Sequence, residues 1–176
     1  MNKTGRTEYR RYYLIESLPE PLTRASEHVQ FFDNYIANTR IRIRTIRFPD
    51  TKAWQWLMQQ RDWAEPESNR VCRVSDMELN EAEHAQFETF EGTEIRKNRY
   101  TIEIGGRHFS FDVYLGKLWG LNRAAVSFNS FEELNAFPHP GDAYLEVTDN
   151  PFFRDENIVE LTFEDIQTAV ARMMAK

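Results

Sequence analysis

Apolar and polar residues alternate with a period of two along most of the chain, which places successive side chains on opposite faces of a strand. The clearest case runs from Glu94 to Leu115. Lys97, Arg99, Thr101 and Glu103 share one side of its first arm, with Tyr100, Ile102 and Ile104 on the other. In the second arm His108, Ser110, Asp112 and Tyr114 alternate with Phe109, Phe111, Val113 and Leu115. Gly105-Gly106 between the two runs predicts a β-hairpin. Further strands are predicted over 7–15, 28–36, 40–45, 53–60, from Arg70 onward, and over 122–128. Arg40, Arg42 and Arg44 fall on one face of theirs, with isoleucines behind them. Trp54 and Trp56 fall on one side of theirs and read as packing residues.

Helical signals are few. Asn80 suits an N-cap with Glu83 three residues on, and the helix it begins is predicted to run to Glu91, ended by Gly92. Phe87 and Phe90 form its apolar edge. Ser130 and Glu133 have capping-box spacing for a short helix over 131–137. Ile166, Val170 and Met173 give an amphipathic helix over 162–174, with Thr162 and Asp165 as its cap. Residues 17–25 with Pro19 and Pro21, 65–69, and 138–141 read as loops, the last making His139 a surface histidine.

Composition narrows the class. A chain of 176 residues is expected to be one domain, residues 1–176, long enough to bury a core. A hydrophobic content of 41% and aromatic content of 14% suit a folded, β-rich protein. The net charge of −6 argues against nucleic-acid binding, whose footprint is a basic surplus. The single cysteine, Cys72, leaves no internal disulfide and fits a reducing compartment. No apolar run reaches the roughly 20 residues that span a bilayer, and residues 1–6 lack a signal-peptide pattern. No membrane association and a cytoplasmic location are therefore expected. Phosphate-loop, dinucleotide, zinc-protease and paired-cysteine motifs are absent.

The charge distribution matters more than its sum. Arginines concentrate on the predicted strands, while acids crowd the helices and loops. On a single hairpin, a solvated sheet face would give the same alternation. Cations recurring on one face of several strands suggest a sheet that curves around a common anion. Five or more inward cations against three or four acids leave a positive excess that is costly without a counter-ion.

From about Glu8 to Ile158 the chain resembles the CYTH domain, or triphosphate tunnel metalloenzymes, whose members include inorganic triphosphatases, thiamine triphosphatases and class IV adenylyl cyclases. The resemblance is carried by Arg42 and Arg44 as Arg-x-Arg, by Lys97, Arg99 and Tyr100 as Lys-x-Arg-Tyr, and by Gly105-Gly106. Asp112, Gly116, Gly120 and Leu121, and then Glu146-Val147-Thr148, follow in the family's order. It implies an α+β fold: an antiparallel closed β-barrel, or tunnel, of about eight strands with helices packed outside.

The resemblance also implies the site. Arg42, Arg44, Arg70, Lys97 and Arg99 would grip phosphate, joined by Arg10, Arg40 and Arg123. Glu8 and Asp112 would be the catalytic, metal-holding acids, with Glu103 or Glu146 beside them. Departures are concentrated at the metal ligands. In the family's Glu-x-Glu-x-Lys strand Glu8 keeps the first acid, but Arg10 replaces the second and Tyr12 the lysine. Gln59 or Gln60 stands where the family has a lysine, and Cys72, Val74, Ala125 and Ser127 stand at other acid positions. Removing carboxylates while keeping cations abolishes metal binding before anion binding, since magnesium prefers carboxylate and water oxygens. The expected function is binding of a triphosphate or other phosphorylated ligand, as monomer or homodimer, with hydrolysis weakened or lost. No cofactor is needed for binding, and Mg or Mn only for activity. The alternatives are a working metal-dependent triphosphatase using Glu8, Asp112 and Glu103, and a structural or partner-binding barrel without a small ligand.

Overall fold

The computed structural model describes residues 3–88 and 92–176. Among the described residues there are nine strands: β1 (Lys3–Leu14), β2 (Val29–Ile36), β3 (Ile41–Phe48), β4 (Ala53–Glu65), β5 (Ser68–Leu79), β6 (Gly92–Ile104), β7 (Arg107–Tyr114), β8 (Asn122–Phe128) and the two-residue β9 (Leu145–Glu146). Every pairing is antiparallel, in the order β5-β4-β3-β2-β6-β7-β8-β1, and a ladder between β5 and β1 closes eight strands into a barrel. β5 pairs with β1 only as far as Tyr9. Beyond that point β9 takes over the same edge at Tyr13 and Leu14.

Alternation decides which side of the wall each residue faces. The β6–β7 hairpin turns on Gly105 and Gly106, both at positive φ, as a two-residue turn requires. Outside the wall Tyr13, Tyr100, Phe109, Phe111, Val113, Ala124, Val126 and Phe128 form one apolar cluster. It is covered by Leu134 of α2 (Phe131–Ala136) and by Leu18 and Leu22. A second cluster lies at one end of the barrel. There Tyr12, Leu14, Ile95, Tyr114 and Ala125 meet Phe153, Ile158, Val159 and Ile166.

Those last residues come from a 3-10 turn (Pro151–Phe153), α3 (Asp155–Ile158) and α4 (Phe163–Met174). The C-terminal helices therefore pack against the barrel through this cluster. The caps of α4 and of α1 (Glu81–Phe87) are the capping boxes expected at Thr162–Asp165 and Asn80–Glu83. Residues 89–91, including Phe90 and the expected end of that first helix, lie outside the described residues.

Two strands run longer than their apolar patterns suggest. β1 starts at Lys3 because its N-terminal part finds a partner in β5. β4 continues to Glu65 and β5 begins at Ser68, so the expected loop over 65–69 is a tight hairpin connection. Trp56 lies 5.7 Å from the His84 ring on α1, whereas Trp54 is 49% exposed and packs less than expected. Among the described residues no helix is long and apolar enough to cross a membrane.

Candidate functional site

The inward-facing residues follow from the register. Arg6, Glu8, Arg10 and Tyr12 share one side of β1, and Gln59, Arg61 and Trp63 share one side of β4. Arg42 and Arg44 of β3, Arg99 of β6, Asp112 of β7, and Arg123 and Ala125 of β8 complete the strand contribution. Arg154, Asp155 and Glu156 enter from around α3. Together they surround a cavity of about 90 Å³. A wider hollow of about 350 Å³ shares Arg42, Arg61, Trp63, Arg154 and Glu156 with it. Eight arginines and four carboxylates line the inner cavity.

Three charge clusters divide this wall. In the first, Asp33 of β2, wholly buried, accepts from Arg44 Nε at 2.6 Å and Nη2 at 2.7 Å, with Arg42 Nη1 at 3.3 Å. Burial alone would raise the Asp33 carboxyl, but Arg42 and Arg44 outweigh it and hold it at about 2. Arg44 and Arg99 both lie on the Phe31 ring, 4.0 and 4.8 Å from its centroid. Arg42 donates to Tyr35 Oη at 3.0 Å, yet its buried Nε has no hydrogen-bond partner among the described residues.

The second cluster is tightly paired. Asp112 accepts from Arg99 Nε and Nη2 at 2.6 and 2.8 Å and lies 2.9 Å from Lys97 Nζ. Asp155 accepts from Lys97 Nζ at 2.6 Å and from Tyr114 Oη at 2.6 Å, with Arg123 Nη2 at 3.0 Å. Burial opposes ionisation of both acids. Arg99 and Lys97 at Asp112, and Arg123 and Lys97 at Asp155, nevertheless hold them well below the usual carboxylate range. Burial lowers the Lys97 ammonium, against the pull of the same two acids.

The third cluster surrounds Glu8 and is looser. Arg6 donates to it at 2.7 and 3.0 Å and also bonds Asp76, which in turn accepts from Gln59 Nε2 at 2.6 Å. Arg61 and Arg10 approach Glu8 only to 3.3 and 3.4 Å. Burial would raise the Glu8 carboxyl, but Arg10, Arg61 and Arg6 hold it at about 2.

Of the residues expected from sequence, Glu8, Arg10, Arg42, Arg44, Arg99, Asp112 and Arg123 therefore meet around one cavity, and Lys97 lies buried directly behind it. Four others lie elsewhere. Arg70 sits where β5 has left β1, and its guanidinium bonds Asp149 and Asn135. Arg40 lines only the outer hollow and pairs with Asp62 at 2.8 Å. Glu103 is exposed near the tip of the β6–β7 hairpin. Glu146 is held by Arg11 and Thr148, away from the cavity.

Sequence reasoning missed Arg6, Asp33, Arg61, Trp63 and Asp155. Continuing the alternation two and four residues past Gln59 reaches Arg61 and Trp63, and stepping back two from Glu8 reaches Arg6. Asp33 stood on a recognised strand. Asp155 had no such signal, because it reaches the cavity from a helix.

The closed eight-stranded antiparallel barrel matches solved structures. The chain is similar to the inorganic triphosphatase NE1496, at 18% identity over 86% of this chain and 93% of that one, with a TM-score of 0.57. A second structure, of the hypothetical protein NE1496, covers 88% and 99% at 18% identity, with a TM-score of 0.58. These likenesses show a shared fold, the closed antiparallel barrel with added helices. The chain is also similar to a conserved hypothetical protein from Pyrococcus furiosus, at 14% identity over 73% of this chain and 83% of that one, with a TM-score of 0.50. No family model matches the chain, and no curated protein matches it.

Proposed function

We propose that this tunnel binds triphosphate or another phosphorylated polyanion through its arginines, and that metal-dependent hydrolysis is weakened or lost. The observation that carries the reading is the charge surplus. With Lys97, Asp33 and Asp76 added to the eight arginines and four acids of the cavity lining, nine cations face six carboxylates. Such a surplus in a partly enclosed space favours an anion, and guanidinium offers paired donors to phosphate oxygens. Arg10, Arg42 and Arg61 are the proposed gripping residues, since each approaches its acid only to 3.3–3.4 Å. Arg44, Arg99 and Arg123 add to the field, and Lys97 positions Asp112.

The second half of the reading concerns magnesium or manganese, which the tunnel fold implies. Such an ion needs several carboxylate oxygens free to ligate it. Glu8 is surrounded by Arg6, Arg10 and Arg61, and both oxygens of Asp112 accept from Arg99. Among the described residues no three His, Cys, Asp or Glu side chains come together as a metal-holding group. This donor set does not suit the ion, so no catalytic step is derived through it. The likeness to a structure described as an inorganic triphosphatase supports the second reading, metal-dependent hydrolysis using Glu8 and Asp112.

Calorimetric titration with tripolyphosphate at low salt, with EDTA present, tests the first half. Saturable binding is expected, and no heat at millimolar ligand would return the chain to a structural barrel. Phosphate release from tripolyphosphate, ATP and thiamine triphosphate with magnesium or manganese tests the second. Turnover on the order of 1 per second, an ordinary enzymatic rate, that vanishes in Glu8→Ala and Asp112→Ala would establish the hydrolase instead.

A further inference from the structure

Asp155 differs from the other two wholly buried acids of the wall. Asp33 and Asp112 stand on barrel strands, whereas Asp155 is the first residue of α3 and is inserted from outside the sheet. Its two oxygens take a lysine, an arginine and a tyrosine hydroxyl, at 2.6, 3.0 and 2.6 Å. That donor set would hold a phosphoryl oxygen equally well. The backbone beside it is locked. Arg154 donates to Asn69 and to the carbonyls of Glu65, Pro66 and Ser68, Phe153 is buried, and Glu156 accepts from Trp63 Nε1. Withdrawing the carboxylate thus requires a change of side-chain rotamer and not of the chain path.

We propose that Asp155 is a resident anion that sets the affinity and chain-length preference of the tunnel, by competing with ligand phosphoryl groups for Lys97 and Arg123. The inference rests on the anion-binding reading above. Asp155 lines the inner cavity and occupies the Lys97 and Arg123 donors at that end. The donors open to a ligand are then those of Arg10, Arg42 and Arg61. A short oxyanion is satisfied by these three. A longer polyphosphate gains the Lys97–Arg123 end only by displacing the Asp155 carboxylate, so the internal acid penalises length.

The test compares wild type and Asp155→Asn by calorimetry in EDTA, using orthophosphate and tripolyphosphate as probes. Tripolyphosphate affinity is expected to rise about tenfold in the variant, the scale of one charge-assisted hydrogen bond, and orthophosphate affinity less than about threefold. Wild-type binding with equal or weaker tripolyphosphate binding by a folded variant would overturn the inference and leave Asp155 a counter-ion only. Binding by neither protein would overturn the anion-binding reading itself. Should Asp155→Asn not fold alone, refolding in tripolyphosphate against chloride at equal ionic strength decides. Recovery specific to tripolyphosphate supports the resident-anion role, and its failure rejects it.

Discussion

The Asp112–Asp155 cluster and the Glu8 cluster are built from the same materials, arginines on strands around buried carboxylates, yet they are different in kind. Around Asp112 and Asp155 five contacts lie between 2.6 and 2.9 Å, and each acid is bonded by more than one donor. Around Glu8 only Arg6 is close, while Arg61 and Arg10 stand at 3.3 and 3.4 Å. The first arrangement has spent its donors internally and, without a ligand, serves as a strut. The second keeps guanidinium capacity in reserve, which is what the proposed site requires. Inward cations alone therefore do not define a ligand site; how completely the fold has already paired them does.

The largest expected effect strikes the strut. Asp112→Ala strips the counter-charge from Arg99 and Lys97 inside the wall and should cost roughly 3–5 kcal/mol of stability, read as a fall in the urea midpoint. A loss below ~1 kcal/mol, the range of an exposed pair, would mean that the two clusters are alike. Acid unfolding comes next and engages the Glu8 cluster together with the Asp33 cluster. The Glu8 and Asp33 carboxyls lie at about 2 in the folded protein, below their unfolded values of 4.5 and 3.8. A lowered folded value stabilises above the unfolded one and is lost as protons reach the native acid. Stability should hold above about pH 5 and fall steadily toward about pH 2, and Glu8→Gln should flatten that slope.

A smaller effect separates the clusters by function. Arg10→Gln should cost less stability than Asp112→Ala, since Arg6 and Arg61 still neutralise Glu8. It should weaken tripolyphosphate binding about tenfold, if Arg10 supplies one charge-assisted contact. Stability lost without affinity would move Arg10 into the strut. The smallest change is expected at Arg70, paired with Asp149 outside the cavity. Arg70→Ala should cost ~0.2–1 kcal/mol and leave tripolyphosphate affinity unchanged, and a loss of binding would place the ligand on the outer wall.

Period-two alternation is enough to assign the strands and their inward faces, because pleating permits only two sides. That is why the spacing of Arg42, Arg44, Arg99 and Asp112 already places them together. The Gly105-Gly106 turn and the caps at Asn80, Ser130 and Thr162 are legible for the same reason: each depends on residues within a few positions of one another. Arg70 shows where this local information ends. It has the alternation of a site residue, but the ladder that would have carried it inward stops at Val71, opposite Tyr9.

Which cations would be neutralised was decided only by tertiary structure. Asp33 meets Arg44 across a ladder, Glu8 meets Arg61 over a separation of 53 residues, and Asp155 meets Lys97 over 58. Electrostatic pairing depends on distance in space and on the loss of screening water, and neither is written in the spacing of residues along the chain. The amino-acid sequence alone determined a curved sheet with arginines on one face. Closure of the barrel, and the insertion of Asp155 from a helix beyond it, decided which of those arginines are occupied and which remain available.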